Sequence, residues 1–92
     1  MFCLVTYDIP DDKRRTKTAK MLKDYGERVQ YSVFECNMDE KLLKSLSDRA
    51  KKLLNDEEDS LRIYELSDSQ KKNVTIIGLG NVIADDKDTY IV

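Results

Sequence analysis

An α+β sandwich, two helices on one face of a four- to five-stranded antiparallel sheet, is the fold that three features of this 92-residue sequence predict. Short apolar runs of strand length alternate with two longer stretches whose apolar residues recur at helical spacing. No linker, internal repeat or low-complexity tract separates them. The length allows one domain, which buries roughly 60 to 65% of its unfolded surface, so a second copy would reinforce a thin core.

Residues 2–9, FCLVTYDI, form an apolar, β-branched run broken only by Asp8, which reads as a buried strand with a carboxylate at its C-terminal end. Pro10, Asp11 and Asp12 then open a helix expected to run to about Tyr25 and to stop at Gly26. Its apolar stripe is narrow: Thr18, Ala19, Leu22 and Tyr25. In residues 28–36 Val29, Tyr31 and Val33 share one parity while Phe34 and Cys36 take the other, which signals a bulge or a break into two short strands. Asn37 with Glu40 resembles a capping box, and Leu42, Leu43, Leu46, Ala50, Leu53 and Leu54 carry a second helix to Asn55. The acidic residues 56–59 read as a solvated turn and 60–66 as a strand. A polar link over 67–72 leads to a last core strand at 74–77, ended by Gly78. Tyr90, Ile91 and Val92 close the chain. This order fits the ferredoxin-like sandwich, with residues 1–78 as the domain and 79–92 as an extension whose edge strand joins the sheet of a partner in a homodimer.

Composition excludes a good deal of chemistry. The chain has no His, which removes imidazole-dependent triads, acid/base pairs and zinc sites, so catalysis would fall to carboxylates, a metal or Tyr. Cys3 and Cys36, far apart and each in an apolar run, read as buried free thiols. No segment has the length and apolarity of a membrane span, and none resembles a secretory signal, so the expected location is the cytoplasm, with no membrane partner.

Asp8 is the first candidate site residue, because a carboxylate ending an apolar strand is costly unless a partner uses it. Capping the following helix is the plain role; holding Mg²⁺ is the functional one, since that ion often uses one or two protein carboxylates and two copies of Asp8 at a two-fold axis would supply a pair. The second candidate is the basic helix. Lys13, Arg14, Arg15, Lys17, Lys20 and Lys23 outnumber Asp11, Asp12 and Asp24, and Arg28 follows on the next strand. The whole chain is −2, yet residues 1–35 are +1 and the remainder −3, and phosphate needs a local patch rather than a positive sum. Tyr7, Tyr31 and Phe34 could stack on bases, although strand aromatics more often belong to a core or an interface.

YDI at residues 7–9, DDKRRTK at 11–17, DYGERVQYSVFEC at 24–36 and the terminal YIV resemble the CRISPR-associated Cas-two proteins, the small partners of the Cas-one integrase in spacer acquisition. The resemblance implies a ferredoxin-like homodimer whose C-terminal strand reaches the other protomer and which binds duplex DNA at the centre of an adaptation complex. It also implies a metal-dependent endonuclease acting on RNA or DNA, as several members are described. On that basis Asp8 is the Mg²⁺ ligand at the dimer axis, with Tyr7 beside it as a second catalytic residue. Arg15 and Arg28 contact phosphate and Phe34 lies near the site; Lys17 stands where some relatives carry Arg, keeping the charge without the bidentate fork, and Arg14 and Lys20 remain nucleic-acid-binding candidates from the basic helix. The alternatives are a non-catalytic DNA-bridging scaffold and a single-stranded RNA-binding module, the latter weakened because VFECNM lacks the glycine-rich aromatic pattern of an RNA-recognition motif.

Overall fold

The structure, a computed structural model, describes residues 1–79. It contains β1 (Phe2–Asp8), α1 (Asp12–Leu22), β2 (Gly26–Gln30), β3 (Val33–Asn37), α2 (Glu40–Leu53), β4 (Ser60–Leu66) and the short α3 (Asp68–Lys72). The strands form one antiparallel sheet in the order β2-β3-β1-β4, the ferredoxin-like order expected.

Register explains why one face is dry. Cys3 and Val5 of β1 stand opposite Cys36 and Phe34 of β3, and Ile63 of β4 stands opposite Val5, so these side chains share a face. That face carries the core: Cys3, Val5, Leu22, Phe34, Cys36 and Leu46 have no exposed surface. α1 contributes Thr18, Ala19, Met21 and Leu22, and α2 contributes Leu46 and Ala50. Both thiols are free and buried, as expected, and burial raises the pKa of each, that of Cys36 to about 11. They are protonated and unreactive at neutral pH.

The even positions of β1 point the other way, toward a face that α1 and α2 leave open. Leu4 and Thr6 are half-buried there, Asp8 is exposed, and Tyr64 of β4 is 45% exposed. Among the described residues no helix is long and apolar enough to cross a membrane.

Several local expectations need correction. α1 ends at Leu22 with Lys23 as its C-cap, and Gly26 is the first residue of β2 rather than a helix stop. A Cβ there would lie 2.1 Å from the Glu35 carbonyl oxygen and 2.6 Å from Cys36 Sγ, so glycine is required by the close approach of two strands. The N-cap of α2 is Asp39, whose Oδ1 accepts from Leu42 N at 2.8 Å, while Asn37 ends β3. The parity change corresponds to two strands and a register shift between Arg28 and Gln30. The polar link 67–72 holds α3, closed by a reciprocal Ser67–Gln70 capping box. The 74–77 segment is no strand: Ile77 is 94% exposed, and Gly78 turns the chain at φ +98°. Its apolar residues read as β, yet no strand among the described residues pairs with them. Residues 79–92 were expected to add a strand to a partner; Tyr90, Ile91 and Val92 lie outside the described residues.

Candidate nucleic-acid and metal site

The C-terminal end of β1 gathers the candidate residues, because it is where the central strand, the β2–β3 turn and the start of α1 meet. Period-two alternation separates Tyr7 from Asp8. Tyr7 faces the helices at 5% exposure, and its hydroxyl donates to the Tyr31 carbonyl at 3.2 Å. Asp8 projects from the open face, paired in register with Ser60 of β4. Its carboxylate makes no hydrogen bond or ion pair among the described residues.

Arg28 bridges the rim. Its Nη2 donates to the Tyr7 hydroxyl at 3.4 Å, and its guanidinium carbon lies 5.9 Å from the Tyr31 ring centroid and 5.5 Å from that of Phe34. Phe34 has no exposed surface and packs at 6.4 Å from Tyr7, so its contribution here is the floor beneath Arg28. Tyr31, 72% exposed, is the aromatic side chain at this rim open to solvent.

Arg15 fastens the turn after Asp8. Its Nη1 donates to the carbonyls of Ile9 at 2.9 Å and Pro10 at 3.2 Å, and its Nη2 pairs with Asp12. Asp12 first and Tyr31 second hold its pKa above the ordinary arginine value. Arg14 points elsewhere. Its Nε donates to Asp59 at 2.8 Å and its Nη2 to Glu58 at 2.8 Å, tying α1 to the turn before β4. Asp59, read as part of a solvated turn, has a fully covered side chain that also accepts from Asn55 N, and the bond from Arg14 lowers its pKa. Lys17 and Lys20 line a groove between α1 and α2 on the helical layer, the side of the sheet away from Asp8.

Asp8, Arg15, Arg28, Tyr7 and Phe34 thus share one end of the sheet, whereas Lys17 and Lys20 do not join them. The Arg14 clamp was not foreseen because its partners are 44 and 45 residues away in sequence. A hard carboxylate with no partner among the described residues has the chemistry that suits Mg²⁺; no group of three or more His, Cys, Asp or Glu side chains that could hold a metal is found among the described residues.

Comparison with known proteins bears on this geometry. The family model described as "CRISPR associated protein Cas2" matches residues 1–74. The CRISPR-associated endonuclease Cas2 2 of Thermus thermophilus is 54% identical over 76 residues, spanning 83% of this chain and 80% of that protein. The CRISPR-associated endoribonuclease Cas2 3 of a Synechocystis species is 49% identical over 75 residues, 82% of each. A chain of a partial Cas6-RT-Cas1–Cas2 complex superposes with a TM-score of 0.68 at 34% identity, covering 91% of this chain and 97% of that one. The match extends from β1 through α3, so the chain belongs to the CRISPR associated protein Cas2 family.

Proposed function

We propose that two copies of this chain join across their open sheet faces, bring two Asp8 side chains together, and bind duplex DNA with a Cas1 integrase during spacer acquisition in the cytoplasm. The observation that carries the reading is Asp8 itself: an exposed carboxylate on a central strand, on the face that α1 and α2 leave open and at the end away from Phe2, which Lys71 of α3 covers, with no partner among the described residues. Such a group is poorly placed to stabilise a monomer and well placed to share a cation with its symmetry mate.

Two Asp8 carboxylates would hold Mg²⁺, which when bound polarises a phosphodiester and lowers the pKa of a water. The chain's own residues supply the rest. Arg15 and Arg28 add fixed positive charge at the same end of the sheet, Arg28 from the side of Tyr7 and Phe34. Tyr7 acts from the far side of the strand as a positioning residue, since its hydroxyl accepts from Arg28 while donating to the Tyr31 carbonyl. Tyr31 offers an exposed ring against which an unpaired base can stack.

The reading is tested by titrating Mg²⁺ into wild type and Asp8→Ala with duplex DNA and with single-stranded RNA, and following light scattering in parallel. Cleavage lost from the variant with the dimer retained supports the assignment; cleavage retained overturns it. A second reading, a DNA-bridging scaffold without catalysis, is favoured by the single carboxylate per chain and by the Cas1-containing neighbour. It expects Asp8→Ala to support spacer acquisition, and charge reversal at Arg15 and Arg28 to abolish it.

A further inference from the structure

The helical layer carries a groove that the Asp8 rim does not use. It lies between α1 and α2 as a shallow, solvent-open groove of about 460 Å³, with Lys17, Lys20 and Asp24 facing Arg49 and Lys52 above a floor of Met21 and Leu53. On each helix the two cations stand three residues apart, hence one turn apart on a single stripe. Two cross-links fix how the stripes meet. Arg49 Nη1 donates to Asp24 at 3.1 Å, and the Tyr25 and Ser45 hydroxyls are 2.7 Å apart. The end of α1 therefore meets the middle of α2, the helices run antiparallel, and Lys17 and Lys20 come to face Lys52.

Four cations share this groove with one carboxylate, in a chain whose net charge is −2. Asp24 is committed to Arg49, and Lys17, Lys20 and Lys52 have no hydrogen-bonded or ion-paired partner among the described residues. Asp48 adds a weaker attraction to Lys52 from its own helix, yet the cations of the groove outnumber its one carboxylate and repel one another, an arrangement that a bound polyanion reverses.

We infer that this groove is a track for the sugar-phosphate backbone of a nucleic-acid duplex, held by charge and without reading bases. Lysines are point charges on flexible stems, and Met21 and Leu53 give those stems an apolar bed. Single-strand grooves stack bases on aromatic rings, and none of the described lining residues is aromatic. The inference rests on the reading of the chain as a nucleic-acid-binding protein and gives it a second contact surface, across the sheet from Asp8.

The test uses the full chain in EDTA, so that no divalent metal bridges protein and DNA, and measures duplex affinity by fluorescence anisotropy over a range of NaCl concentrations. Lys20→Gln with Lys52→Gln removes one charge from each wall. Lys51→Gln with Lys72→Gln, neither of which lines the groove, makes the same charge change elsewhere. Each lost phosphate contact should flatten the slope of log K against log salt by about 0.9, so the groove variant should lose about 1.8 and bind one to two orders of magnitude more weakly at about 0.1 M salt. Without DNA it should melt no lower than wild type, because a repulsion has been relieved. An unchanged slope, an equal loss in the control pair, or a lower melting temperature without DNA each overturns the inference. If wild type binds duplex and the groove variant matches it, the groove alone falls; if wild type binds no nucleic acid, the reading on which it rests falls with it.

Discussion

The first turn of α1 and its middle carry the same charge to different ends. Arg14 and Arg15 are occupied: one clamps Asp59 and Glu58, the other the carbonyls of Ile9 and Pro10 together with Asp12. Lys17 and Lys20, one turn on, have no partner among the described residues and face a groove. Arginine's planar fork suits fixed multidentate contacts, whereas lysine keeps its charge in solvent on a mobile stem. Counting basic residues along this helix therefore overstates the charge on offer at its start, and the free charge lies further along than the clustered arginines suggest.

The strongest challenge to this contrast is the Arg14–Asp59 clamp. Arg14→Ala and Asp59→Asn should each lower the melting temperature at pH 7, by more than alanine at Lys17 or Lys20. Because the two residues act as one unit, the double variant should lose little more than the worse single; full additivity in thermal melts would mean that the pair is not coupled. Duplex affinity should change little in Arg14→Ala, since that guanidinium is already engaged.

The same pair sets a pH dependence. Arg14 foremost, and then the Asn55 N–H, hold Asp59 below the ordinary carboxylate value of 3.8, so the unfolded chain takes up a proton at this position before the folded one does. The stabilisation is complete above that value and is lost as pH falls through the lower, folded one. Asp59→Asn should accordingly be less stable than wild type at neutral pH, and the difference should shrink on acidification below about pH 4. A difference constant down to pH 2 would remove Asp59 as its source.

Arg15 is the next test, with a smaller expected effect. Its two carbonyl bonds brace the turn that follows Asp8, and hydrogen bonds from a charged donor are stronger than neutral ones. Arg15→Ala should cut cleavage or acquisition roughly tenfold, by loosening that turn. Arg15→Lys should restore only part of it, because an ammonium cannot reproduce the fork that spans Ile9, Pro10 and Asp12. Full rescue by Lys would show that only the charge matters.

Much of the fold could be read from short-range pattern. The apolar run ending at Asp8 made β1, the leucine spacing made α2, and the change of parity around Tyr31 marked the place where β2 and β3 divide. What could not be read depends on pairings distant in sequence. Gly26 looks like a helix stop until Cys36 is seen against it. Residues 74–77 look like a core strand until it is asked which edge would pair with them. The site was legible in the same uneven way. Asp8 stands out because an acid interrupts an apolar strand. The fixation of Arg14 by Asp59, and the meeting of Lys17 and Lys20 with Lys52, require the packing of α1 on α2 and on the turn before β4, which no local spacing encodes.

The smallest expected effect gives the sharpest reading of the contrast. Lys17 is exposed in mid-helix with no partner among the described residues, and surface substitutions away from such contacts change stability by less than about 0.5 kcal/mol. Alanine is the better helix former by a few tenths of a kcal/mol, and replacing Lys17 also relieves some repulsion from Lys20 and Lys52. Lys17→Ala should therefore melt at or slightly above the wild-type temperature while binding duplex DNA less well. A clear fall in melting temperature would place Lys17 with Arg14 among the cations that hold the fold, and would make the whole helix, rather than its first turn, structural in purpose.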